Sequence, residues 1–174
     1  MPISRSATGG KDFICVGLTY INLNPETEEQ YVKAVYDTVI GTYHGDEKAV
    51  FPGGFSMGGL AIERFILRPE TFKRYRAAWM FGAGLVGSHF KPAQVNWLAD
   101  MPFFEAVGEK DFNRRAVETM LPKFQETLKK MEFHVMPGMG HQIDIKNYGP
   151  KLLDFFRKNL PEVPQDKDVN KASK

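Results

Sequence analysis

The sequence predicts an α/β fold: a three-layer sandwich on a mainly parallel sheet of about five strands, with helices on both faces. Short apolar runs alternate with amphipathic helical stretches along most of the chain, which is how strands joined by crossover helices read. No internal repeat or low-complexity block interrupts that alternation. The length of 174 residues, with 43% hydrophobic and 13% aromatic residues, fits one domain with a substantial core.

The elements follow in order. Residues 1–12 are polar and contain Gly9 and Gly10, and are expected to be a flexible N-terminus. Residues 13–20 are apolar and bulky, with Phe13, Ile14, Cys15 and Val16, and predict a first, buried strand. Asn24 can cap a helix, Pro25 suits its first turn, and Glu26, Glu28 and Glu29 suit its positive end. Tyr31, Val32, Val35, Tyr36, Val39 and Ile40 then recur at helical spacing, with Gly41 as the expected stop. Residues 49–55 predict a second strand. Leu60, Ile62, Phe65, Ile66 and Leu67 predict a helix ending near Pro69.

Residues 75–81 predict a third strand, and 85–100 read as either a short helix or an irregular loop. Residues 102–107 predict a fourth strand. Residues 113–130 predict an amphipathic helix, in which Pro122 signals a kink or break. Residues 131–136 predict a fifth strand, and Leu152, Leu153, Phe155, Phe156 and Leu160 a last helix over 147–160. The polar stretch 161–174 is expected to be a flexible tail, leaving 13–160 as the domain.

Composition narrows the function classes. A net charge of +2 indicates neither a nucleic-acid surface nor a polyanionic substrate. The basic clusters at 73–76 and 129–130 sit where helices should end, and read as solvated surface. The one cysteine, Cys15, excludes an internal disulfide and lies in an apolar run, as a buried inert thiol would. No stretch approaches the ~18 apolar residues of a membrane span. The first residues lack the apolar core of a signal peptide, so the expected setting is cytoplasmic, away from membranes. No cofactor or metal motif stands out. His134, His141 and Asp144 do not have a usual zinc spacing.

Chemistry-bearing residues fall in the loops beyond the strand ends. Gly54-Phe55-Ser56-Met57-Gly58 follows the second strand and opens a helix, Gly108-Glu109-Lys110-Asp111 follows the fourth, and Pro137-Gly138-Met139-Gly140-His141 follows the fifth. In a parallel sheet these loops share one edge, where ligands bind. A serine hydroxyl needs a general base to become a nucleophile. Histidine titrates in the right range to supply one, and a carboxylate on its other nitrogen fixes the tautomer. Gly54 and Gly58 would leave room for a sharp turn around Ser56. The helix that follows points free amides at the site, and the Met57 amide is the natural first donor to an oxyanion. Glu109 is an alternative acid to Asp111. His134 falls within the fifth strand as a structural residue, and His44 and His89 fall in loops.

On these three motifs, "GGFSMGG", "VGEKD" and "PGMGH", residues 13–160 resemble the α/β-hydrolase family, and among its members the small carboxylesterases and polyhydroxyalkanoate-depolymerase-like esterases. The resemblance implies Ser56 as nucleophile, His141 as base, Asp111 as acid, no cofactor, and a small-molecule ester as substrate. It also implies that the segment after the third strand carries substrate-facing residues, for which Phe90 and Trp97 are candidates. Trp79 and Phe81 read as core.

The resemblance also implies three further strands ahead of residues 13–20. The third of them lies between the family's fourth and fifth strands and carries the loop with the second oxyanion amide. The chain is therefore expected to read as a truncated member. Three outcomes are open: the first strand closes the gap, a second copy completes the sheet as a homo-oligomer, or the site is compromised. If residues 13–20 close it, an amide of Leu18, Thr19 or Tyr20 becomes the candidate second donor.

Overall fold

The computed structural model describes residues 13–18, 25–66, 75–83 and 99–161. Eight elements are formed: α1 (Pro25–Tyr43), β1 (Gly53–Phe55), α2 (Met57–Ile66), β2 (Ala78–Phe81), β3 (Pro102–Gly108), α3 (Arg114–Thr127), β4 (Lys130–Met136) and α4 (Ile145–Lys158). The strands form a four-stranded sheet in the order β1-β2-β3-β4, every pair parallel. The fold is α/β, as expected.

A sheet whose strands run in sequence order and cross over right-handedly keeps its crossover helices on one face. The two apolar clusters agree with this. On one face, Met80 and Phe103 meet Val117 and Phe124 of α3 and Ile62 of α2. On the other, Trp79, Phe81 and Phe104 meet Tyr148, Leu152, Phe155 and Phe156 of α4, the helix that closes the described chain. The inner strands β2 and β3 are buried on both faces, which is why β2 reads as a continuous apolar run and β3 as one broken only by Glu105.

The sheet corrects the expected strand count. Residues 13–18 join no strand, and Ile14, Val16 and Leu18 are exposed. An apolar run becomes a strand only if a partner edge accepts its backbone, and no described strand does so here. Phe13 instead packs its ring on Phe51 and Phe156, beside the amino end of β1. The second expected strand is also shorter, Gly53–Phe55. Its lead-in still follows the β2 side, since Val50 and Pro52 accept from the amides of Arg76 and Trp79.

α1 runs past Gly41 to Tyr43, and His44 ends it with φ +54°. The expected cap, Asn24, lies outside the described residues, as do both chain ends and Thr19, Tyr20, His89, Phe90 and Trp97. α3 and α4 continue through Pro122 and Pro150. α4 starts at Asp144, whose carboxylate accepts from the Asn147 amide at 3.1 Å. No helix among the described residues is long and apolar enough to cross a membrane.

Candidate active site

Ser56 stands between the last residue of β1 and the first of α2. Its amide donates to Phe81 O in β2 at 2.9 Å, and its carbonyl accepts from the Leu60 amide of α2 at 3.1 Å. One residue thus ends a strand ladder and starts a helix. That geometry forces φ to +54°, in the left-handed region that costs a non-glycine residue strain.

Glycine makes the approach possible at Gly54, where an added Cβ would lie 2.4 Å from the Gly58 carbonyl carbon. The expectation for Gly58 is corrected: an added Cβ there meets nothing within 4 Å. The motif's second glycine is not required by the packing of the described residues. Its backbone is what Gly54 must avoid.

The acid and histidine loops are tied to each other. Lys110 donates its amide to Met139 O at 2.7 Å, and the Gly138 amide donates to the Glu109 carboxylate at 2.7 Å. Glu109 therefore bridges the two loops, and Asp111 is the acid that meets the histidine. Asp111 Oδ2 lies 2.9 Å from His141 Nδ1, and its side chain is fully buried. Its Oδ1 accepts from the Asn113 amide at 2.8 Å, and Asn113 Nδ2 donates to Gly82 O at 2.8 Å. The acid is thereby anchored to the turn after β2.

His141 Nε2 lies 2.8 Å from Ser56 Oγ. A carboxylate only accepts, so Nδ1 carries the proton and Nε2 is left to accept from the hydroxyl. The imidazole packs at a tilt against Phe55 and Phe112, with ring centroids 4.8 and 4.3 Å away. Beneath the pair sits Gly82, at φ +57°, where an added Cβ would lie 3.0 Å from Asp111 Oδ2 and 3.4 Å from His141 Nδ1. A side chain there would press on the Asp–His hydrogen bond.

The structure thus places Ser56, His141 and Asp111 in one hydrogen-bonded row, with the first amides of α2, starting at Met57, beside the serine. His134 is elsewhere, tilted against Phe104 and near Tyr148, and burial holds its pKa below the usual histidine value. Sequence reasoning missed Phe112, Asn113 and Gly82. Asn113 was legible in principle, because Asp-x-Asn after a strand is a turn signal. Gly82 and Phe112 had no local signal.

Glu105 lies in β3 opposite Met80 and is fully buried, with no hydrogen-bond partner for either carboxyl oxygen among the described residues. Burial first, then the charges of Glu63 and Asp111, pushes its pKa well above the ordinary carboxylate range.

No family model and no curated protein matches the chain. Solved structures do. The chain is similar to SOBER1 of Arabidopsis thaliana, at 21% identity over 80% of this chain and 67% of that one, with a TM-score of 0.56. It is similar to esterase PE8, at 21% identity over 78% and 61%, TM-score 0.56. The likeness extends to an S-formylglutathione hydrolase from Agrobacterium tumefaciens, at 16% identity over 76% and 57%, TM-score 0.60. The chain has the α/β-hydrolase fold. It spans 57–67% of the length of these three hydrolase-fold structures. Within that fold, the row of Ser56, His141 and Asp111 occupies the carboxyl ends of the strands.

Proposed function

We propose that the protein is a serine hydrolase that cleaves carboxylic esters through an acyl-enzyme. The observation that carries this reading is Ser56, held at φ +54° with its Oγ 2.8 Å from an imidazole whose other nitrogen meets a buried carboxylate. Ser56 Oγ attacks the ester carbonyl carbon while His141 Nε2 takes its proton. The Met57 amide donates to the oxyanion that forms. Collapse of that intermediate expels the alcohol, which leaves with the proton from His141. Water then attacks the acyl-enzyme by the same path, and the acid product and free Ser56 result. Asp111 holds the tautomer and stabilises the imidazolium.

Of the candidate second donors, Thr19 and Tyr20 lie outside the described residues, and Leu18 is exposed in a segment that forms no strand, so it gains no support. Losing one oxyanion donor slows such enzymes by ~10²–10³-fold.

The test is labelling by a fluorophosphonate. Folded protein should gain one adduct, located on Ser56 by peptide mass spectrometry. An unlabelled, folded sample would overturn the reading.

The outer edge of β1 favours a second reading, a weakly active or non-catalytic protein that assembles by strand addition. Ser56 and Pro52 bond toward β2, so the N–H and C=O groups of Gly53 and Phe55 face the other way, where no described residue pairs with them. A second copy is the proposed occupant. A monomer by sedimentation that turns over esters at ordinary rates refutes this reading.

A further inference from the structure

Large apolar side chains are exposed in a few places among the described residues. Several belong to residues 13–18 and α1, and Leu160 follows α4. Met57 and Phe112 differ, because they adjoin Ser56 and Asp111 in the chain. Phe112 is 74% exposed, more than any of the others.

That exposure is not the mark of a loose loop. The residues on both sides of Phe112 are anchored: Asp111 accepts from the Asn113 amide at 2.8 Å, and Asn113 Nδ2 donates to Gly82 O at 2.8 Å. The turn therefore holds the ring in place against the imidazole of His141, at 4.3 Å between centroids. Much of the ring is left in water, although apolar surface gains free energy when it is covered. A fixed, uncovered aromatic surface beside a reacting group is what an apolar ligand group would cover.

The chemistry says which part of the substrate lies there. In the first step His141 Nε2 must come within hydrogen-bond reach of the departing alcohol oxygen to protonate it. The group attached to that oxygen begins one bond further out, and so lies beside the imidazole and near the Phe112 ring packed at a tilt against it. The acyl group extends from the carbonyl carbon at Ser56 instead.

We infer that Phe112 forms the binding surface for the alcohol part of the ester, and that it selects esters of apolar alcohols, aryl or alkyl. This rests on the serine-hydrolase reading above.

The test compares 1-naphthyl acetate with methyl acetate, for the wild type, Phe112→Ala and Phe112→Leu. Both esters leave the same acetyl-enzyme, and the variant-to-wild-type ratio for each ester cancels its intrinsic reactivity. Phe112→Ala is expected to lower kcat/KM for 1-naphthyl acetate by about tenfold, as loss of an apolar contact does. Methyl acetate turnover and the deacylation rate should fall several-fold less than that, and Phe112→Leu should recover part of the loss. An equal loss for both esters would mean that the ring only positions His141, and would overturn the inference. No loss for either would overturn it too.

A binding measurement separates this inference from the reading beneath it. 1-Naphthol, titrated by NMR into Ser56→Ala, should shift the signals of His141 and lose that effect when Phe112→Ala is added. Failure to bind, or equal binding by both proteins, overturns the inference. Failure of wild-type labelling by fluorophosphonate overturns the hydrolase reading instead.

Discussion

The two ends of the described chain are built to different standards. At the carboxyl ends of the strands, each described loop that bears on Ser56 is tied to another. The serine turn bonds to β2, the acid loop to the turn after β2 and to the histidine loop, and the histidine to both serine and acid. By contrast, residues 13–18 form no strand, and no side chain described in α1 is buried. α4 buries Tyr148, Leu152, Phe155 and Phe156, so the sheet has a helix it covers well and a helix it does not. The lesson is that a row of reacting groups needs only the strands that carry it. Among the described residues the outer edge of β1 has no partner strand, and the Ser–His–Asp geometry is formed all the same.

The largest expected effect tests whether the tied loops work as a unit. Asp111→Asn should lower kcat for ester hydrolysis by ~10⁴-fold, because the imidazole loses the acceptor that holds its tautomer. The unfolding midpoint should change little by comparison. A variant with near-normal turnover would break the comparison, since the best-anchored side chain of the site would then do nothing for it.

Stability separates the two regions next. Phe104→Ala empties a site packed on Phe81, Phe155 and His134, and should cost about 3–5 kcal/mol in denaturant unfolding. Val35→Ala in α1 removes a half-buried side chain and should cost less than about 1 kcal/mol. Equal costs would mean that α1 is held as firmly as the sheet.

A smaller effect probes a defect within the well-packed half. The folded protein keeps a proton on Glu105 that the unfolded chain releases above the ordinary glutamate pKa of ~4.3. Stability is therefore full below that value and is lost as pH rises toward the raised one. Glu105→Gln has no such proton to lose. It should match the wild type near pH 4 and unfold at a higher temperature by pH 8, with a gap that widens with pH. A gap that does not vary with pH would mean that the carboxyl stays ionised in the fold.

Much of this could be read from residue order. Apolar runs of strand length, separated by helical spacing, located the four strands that formed, and the ends of three of them, β1, β3 and β4, marked the loops where Ser56, Asp111 and His141 stand. Gly54 was legible because a serine between a strand and a helix crowds the backbone. The first strand was misread, because Phe13, Ile14, Cys15 and Val16 look the same whether or not an edge pairs with them. Pairing depends on a partner far away in sequence, and local pattern does not record it. The role of Gly58 was misassigned and that of Gly82 missed for a related reason. The space around a glycine is set by whichever element lies opposite.

By itself, then, the sequence determined the alternation of strands and helices, the parallel order that follows from it, and the three residues at the strand ends. These depend on local propensity and on the fixed hand of crossovers. Only the tertiary structure decided that Glu109 bridges two loops while Asp111 meets His141, and that Phe112 packs against the imidazole. Each of these is a contact between segments distant in the chain, and its geometry exists only once the sheet has brought them together.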